Sequence, residues 1–296
     1  MKKFALEMSE SEADSVQVKL ELSKSLFHSD EGITGTFTIV PNDEPVQALR
    51  IFMLLTGTEE SPSGVDKKTK IRRICEIGQE IDVPSEKIEE PLLLPFVVRT
   101  PTNLPSSYSG LAGNIRYRLT GGGVFDVGRK TVRARVRLAG FPNIQRPLKA
   151  SESVAISAFC CCGNAGTVQL EISSNSALIV PGEPVEFKVK VKNSCAEIFT
   201  NFRFLLFQNV SCSSDKEASG PREISDLLLV AEIPGNSVYE KSVRVEISKS
   251  ILPSVLDSKL IKVETIAKIC GEISGERKAP SLKTSLMVLP TSEHGN

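Results

Sequence analysis

Short runs along this chain alternate apolar and polar residues with a period of two. Val16, Val18, Leu20 and Leu22 are interleaved with Gln17, Lys19 and Glu21, and Phe187, Val189 and Val191 with lysines. Val132, Ala134, Val136 and Leu138 alternate in the same way with Arg133, Arg135 and Arg137. Successive side chains of a strand point to opposite faces, so each run predicts a strand with one face in a core and one in water. Turn signals separate the runs: Asp30-Glu31-Gly32, Pro41-Asn42-Asp43, Gly121-Gly122-Gly123, Pro181-Gly182 and Pro234-Gly235-Asn236. Their spacing is that of antiparallel sandwiches. Helical patterning is scarce, and the acidic stretch from Glu76 to Glu90 reads as a loop with room for a short helical turn.

The pattern returns at long range. Val18-Lys19-Leu20-Glu21-Leu22-Ser23 recurs as Val168-Gln169-Leu170-Glu171-Ile172-Ser173. The same ungapped offset sets Gly32 on Gly182, Phe37 on Phe187, Phe52 on Phe202 and Leu55 on Leu205. An offset of this length is that of a whole domain, not of a solenoid repeat. A second echo sets Leu104-Pro105-Ser106-Ser107, ahead of the strand around Ile115 to Leu119, against Leu252-Pro253-Ser254, ahead of Leu260 to Glu264. Proline suits such turns because it fixes φ and is costly inside a central strand. The fold class is therefore all-β, two tandem β-sandwich domains: 1–145, a linker over 146–165, and 166–296.

Composition narrows the class further. The 296 residues suffice for two cores. Lysine plus arginine and aspartate plus glutamate stand at 36 each, which removes a global electrostatic case for nucleic acid. Met1-Lys2-Lys3-Phe4 runs into acidic, polar sequence instead of the apolar core of a signal peptide, and no apolar run reaches membrane-spanning length. Seven cysteines, an odd count without a regular framework, favour the reducing cytoplasm.

Catalytic chemistry finds little to work with. Of two histidines, His294 lies in the terminal tail and His28, beside Ser29 and Asp30, reads as a surface residue in a turn. No Ser-His-Asp or Cys-His set, phosphate loop or dinucleotide fingerprint can be assembled, so no enzyme activity and no cofactor are expected. Gly121-Gly122-Gly123 lacks a following helix and reads as part of a hairpin connection. Adjacent Cys160, Cys161 and Cys162 alternate sides on an extended chain and do not readily meet one ion, so no metal site is expected. Packing near the domain junction and reversible acylation both stay open for them.

Arginine marks the candidate binding surface. Arg133, Arg135 and Arg137 share one strand face, and Arg116 and Arg118 show the same spacing around Tyr117. If the segment from Gly121 to Asp126 joins the two runs, the guanidiniums gather on one sheet face. Such a face suits a phosphorylated or acidic cargo tail or an anionic lipid headgroup, since arginine pairs with phosphate and carboxylate in bidentate fashion. A solvated face that blocks edge aggregation is the plain alternative. Lys67, Lys68, Lys70, Arg72 and Arg73 form a second cluster, read as a loop and the strand after it.

The segment Leu104 to Leu119, LPSSYSGLAGNIRYRL, is similar to the LPSS-(F/Y)-x-G-x-x-G-x-(I/V)-R-Y pattern of the α-arrestin family. Cys160-Cys161-Cys162-Gly163, then Val168 to Ile172, then Pro181-Gly182-Glu183, resembles the opening of that family's carboxy-terminal domain. Leu252-Pro253-Ser254, Ile261-Lys262-Val263 and the strand Leu286 to Leu289 resemble its end, although Thr265 stands where the family often has tyrosine. The likeness implies arrestin-like, immunoglobulin-type sandwiches and a non-catalytic adaptor in intracellular protein transport and endocytosis. Its partners would be cytoplasmic tails of membrane proteins or trafficking proteins, with an anionic membrane surface as a further candidate. The implied location is cytoplasmic, with peripheral association at the plasma membrane or endosomes. The sequence holds no PPxY motif, so direct docking of ubiquitin-ligase WW domains is not expected. An alternative is a retromer-type structural subunit of a coat or retrieval complex, with an apolar edge near Phe199 to Phe207 covered by another subunit.

Overall fold

The computed structural model describes residues 15–62, 69–83, 86–142, 146–157, 164–213, 219–273 and 279–290. Every regular element among them is a strand. The chain runs through β1 (Val16–Leu22), β2 (Phe27–His28), β3 (Ile33–Pro41), β4 (Ala48–Pro62) and β5 (Thr69–Ile81). It continues through β6 (Leu92–Val98), β7 (Tyr108–Gly110), β8 (Gly113–Phe125), β9 (Gly128–Val136) and β10 (Leu138–Ala139). Then follow β11 (Leu148–Ser157), β12 (Asn164–Ser174), β13 (Leu178–Ile179), β14 (Val185–Asn193) and β15 (Phe199–Cys212). The last four are β16 (Gly220–Ile233), β17 (Ser237–Val245), β18 (Ile261–Ile273) and β19 (Ser281–Val288). The all-β class is what the period-two patterning dictates.

Chain proximity defines two compact units. The first takes in the chain up to Glu59, Ile71–Ser107 and Ile115–Pro142; the second takes in Glu60–Lys70, Tyr108–Asn114 and the chain from Asn143 onward. In the first, the sheet β1-β3-β6 faces a sheet in which β8 lies between β4 and β9, with β5 outside β4. Phe37 on β3, fully buried, lies so close to β8 that a methyl carbon on Gly121 would come within 2.9 Å of its ring. Ile39, Ile51, Met53, Leu55, Leu119 and Val136 complete this core at 0–1% exposure. The second unit packs the sheet β11-β12-β14-β17 on β13-β19-β18-β15-β16. Phe187 of β14 meets Phe204 of β15 with ring centroids 5.0 Å apart, which joins its two layers.

The repeat is visible element by element. β1 pairs with β3 as β12 pairs with β14, and the short strands β2 and β13 each lie parallel to the last strand of their unit. The Pro-Ser motifs turn out to be stitches rather than simple turns. Ser107 donates its amide to Leu138 O, 2.8 Å, and its Oγ accepts from Leu138 N, 3.0 Å. Ser254 makes the same reciprocal pair with Val288, both bonds 3.0 Å. The carbonyl just ahead of these serines is satisfied differently in each unit. Tyr117 donates its hydroxyl to Pro105 O at 2.7 Å, whereas the Gln208 amide donates to Leu252 O at 2.8 Å.

Several expectations change. Gly121 to Gly123 lie inside β8, and the hairpin turn falls at Asp126-Val127. The glycines are there because rings press on both faces: a Cβ at Gly122 would stand 2.5 Å from Phe52 on the side opposite Phe37. Glu76 to Ile81 is strand, not loop, because an edge strand is wet on both faces and need not alternate. His28 is buried at 6% exposure; its Nδ1 donates to Phe141 O at 3.1 Å and its ring meets Phe141 edge-on. Phe199 to Phe207 is no exposed edge, since β15 is flanked by β16 and β18 and Phe199, Phe202 and Phe204 are fully buried. The range read as a linker, 146–165, contains β11, whose Leu148 and Ile156 are buried in the second core.

Two of the repeat pairs, Phe52 with Phe202 and Leu55 with Leu205, are out of phase. Ile51, Met53 and Leu55 face the first core, while Phe202, Phe204 and Leu206 face the second, so Phe52 points out where its counterpart Phe202 points in. The cause lies ahead of β15: β4 and β15 bury the same positions from their starts, Ala48, Ile51 and Met53 against Phe199, Phe202 and Phe204, and the second unit holds one residue more between Phe187 and Phe199 than the first holds between Phe37 and Ala48, while within β15 itself the chain bulges at Asn201, φ 54°. An extra residue moves every following side chain to the other face, and asparagine is among the few residues that tolerate a left-handed backbone.

Candidate functional site

The β8–β9 hairpin carries the arginines. Its ladder is regular from Tyr117 opposite Val136 to Phe125 opposite Gly128. Tyr117, Leu119 and Val136 turn inward and are buried, so Arg116, Arg118, Arg133 and Arg135 turn outward and are exposed. The strand pairing sets Arg118 directly opposite Arg135, and Arg133 opposite Thr120. Like charges directly opposite one another across a ladder are destabilising. The sequence reading thus has these residues on one face, and Arg137 continues the row just past the end of β9, half-buried, with Nε donating to Ser25 O at 3.0 Å. Arg129 belongs to the same row and was missed. It stands two residues before Thr131 and four before Arg133, and its guanidinium lies over the Phe52 ring, 5.4 Å from the centroid. The clue was there, in the unbroken spacing of odd-numbered positions along the strand.

The electrostatics of the face are one-sided. Burial, and after it the charges of Arg116 and Arg137, lower the pKa of Arg135 from its ordinary value; a guanidinium so placed is still cationic at neutral pH. Other outward positions of the hairpin are Thr120, Gly122, Val124 and Thr131, with no carboxylate among them. Asp126, at the turn, instead accepts from the Gln47 amide at 3.0 Å.

The second basic cluster is built differently. Arg72 pairs at 2.7 Å with Glu59, which is fully buried, and Arg73 pairs with Glu76. The charges of Arg72 and Arg73 are spent within the fold, Lys70 is exposed, and Lys67 and Lys68 lie outside the described residues, as do Cys160, Cys161 and Cys162. The Glu59–Arg72 pair was not legible, because nothing in the spacing of residues so far apart marks a carboxylate for burial. Tyr117 stands near Glu59 and Cys75, and burial above all pushes its phenol well above the ordinary range. Among the described residues no three His, Cys, Asp or Glu converge as metal ligands, and no helix is long and apolar enough to cross a membrane.

Two packed sandwiches with a stitched last strand and a surface hairpin of arginines define a class of tandem β-sandwich proteins. Residues 164–289, which carry β12 to β19, match the family model for the arrestin (or S-antigen) C-terminal domain. The chain is also 29% identical over 183 residues, 57% of its length, to Arrestin domain-containing protein 17 of Caenorhabditis elegans. Both likenesses are to arrestin-domain proteins. The chain covers 42% of that curated relative, less than half of its length.

Proposed function

We propose that this chain is a non-catalytic, α-arrestin-type adaptor of intracellular protein transport, and that its arginine face is the surface that takes an anionic ligand. Arrestin-domain character supports the adaptor class. One observation carries the choice of surface: Arg118 is held opposite Arg135 with no carboxylate on the hairpin face to relieve them. A pairing that costs stability is retained where something outside the fold uses it. The adaptor acts in the cytoplasm, at the plasma membrane or endosomes, where cytoplasmic segments of membrane cargo meet it. The retromer-type reading loses its motive, since the edge expected near Phe199 to Phe207 is interior.

Fluorescence anisotropy with an acidic, phosphorylated peptide tests the surface. Binding should be salt-sensitive and should weaken strongly when Arg133, Arg135 and Arg137 are changed together to Ser. Equal binding by the folded variant would reduce the row to a solvated face.

A further inference from the structure

We propose that the β8–β9 arginine face docks flat on the anionic phospholipid headgroups of a membrane leaflet. The inference rests on the anionic-ligand reading of that face and names the ligand. Peptide recognition on a sheet uses an open strand edge for main-chain pairing and pockets for alternate side chains. The arginine face has no such pockets, and main-chain pairing would use the outer edge of β9 and not the face that carries the arginines. From Tyr117–Val136 to Phe125–Gly128 the amides and carbonyls that join β8 to β9 are committed to their ladder, and none points out of the face. Between the arginines stand Thr120, Gly122 and Thr131, which are small or lack a side chain, so the face has no relief into which a peptide side chain could settle.

What remains is charge spread in a plane. Arg129, Arg133 and Arg135 span about 20 Å along β9, and Arg116 and Arg118 form a second row about 5 Å away on β8. None of Arg118, Arg133 and Arg135 is held in an ion pair among the described residues. The array is stiff, because its backbone is a regular ladder and Val132, Ala134 and Val136 anchor the underside. A leaflet rich in anionic lipid is a diffuse negative plane that attracts each nearby basic residue by a similar increment. It therefore reads charge density, which this face has, and not side-chain shape, which this face lacks.

The test is co-sedimentation of the whole chain with vesicles of phosphatidylcholine alone or mixed with phosphatidylserine. Binding is expected to the mixed vesicles only, and to fade as salt is raised from about 0.1 M to about 1 M, where the Debye length shrinks from about 10 Å to about 3 Å. Changing Arg118, Arg133 and Arg135 together to Ser should weaken it on the order of a hundredfold. The triple Lys variant should restore it, since a leaflet counts charges while a bidentate phosphopeptide site needs the guanidinium fork. Thermal melting of each variant confirms that the fold is retained. Mixed-vesicle binding unchanged by the Ser variant overturns the inference. So does binding of an acidic phosphopeptide by the wild-type chain without any binding of vesicles, which would leave the anionic-ligand reading standing; a wild-type chain that binds neither overturns both.

Discussion

The hairpin β8–β9 of the first unit and the pair β18–β19 of the second occupy the same place in the repeat, and both set two cations face to face. In the first the pair is Arg118 and Arg135; in the second it is Lys268 and Lys283. Their surroundings part company there. Around Arg135 the neighbouring charges are Arg116 and Arg137. Around Cys270, next to Lys268 on the second face, Lys268 and Arg203 are set against Asp226 and Glu272. Asp226 is bidentate to Arg203 at 2.8–2.9 Å, and Glu264 pairs with Lys262 at 2.9 Å. The same framework is thus stable with its face neutralised. The like-charge pairing of Arg118 and Arg135 in the first unit is an addition to the fold, not a requirement of it.

If the frameworks are equivalent, their cores should respond alike. Phe37→Ala and Phe187→Ala, at matched and fully buried positions, should each cost about 3–5 kcal/mol in denaturant unfolding. A large loss in one and a small loss in the other would break the comparison at its base. The stitches come next. Ser107→Ala and Ser254→Ala each strand the amide of a buried last-strand residue, Leu138 or Val288, and should cost about 1–3 kcal/mol. The smallest effect carries an unusual sign. Arg135→Glu turns a like-charge pair with Arg118 into an opposite one and should stabilise the first unit by about 0.2–1 kcal/mol, seen as a raised Tm. Lys283→Glu, on a face already mixed in charge, should gain less. Equal gains would mean that the arginine face is no more strained than its counterpart.

Strand content and the duplication were legible because half-buried strands must alternate and because matched spacing preserves matched faces. The arginine row was legible for the same reason. What escaped the pattern was set by neighbours far along the chain. The three glycines of β8 read as a turn, yet Phe37 and Phe52 demand the absence of side chains there. The end of β5, Glu76 to Ile81, reads as a loop because, at the sheet edge, positions on both its faces reach water. His28 looks like a surface residue until Phe141, more than a hundred positions later, supplies a carbonyl for its ring. Phe52 and Phe202 align in letters but not in direction, since one extra residue between Phe187 and Phe199 shifts the strand that follows.

The order of strands in time gives the stitches another meaning. β2 pairs with β10 and β13 with β19, so each sandwich is sealed by joining an early strand to its own last one. A ribosome delivers about 5–20 residues per second. Phe27 therefore leaves the exit tunnel on the order of ten seconds before Leu138, its eventual partner, can follow. For that interval Phe27, Phe37 and Ile51 have no closed core to enter. A nascent chain of this design is sticky until its Pro-Ser motif catches the final strand, and it passes through that exposure twice. A stall just short of either last strand would be the most aggregation-prone point of its synthesis.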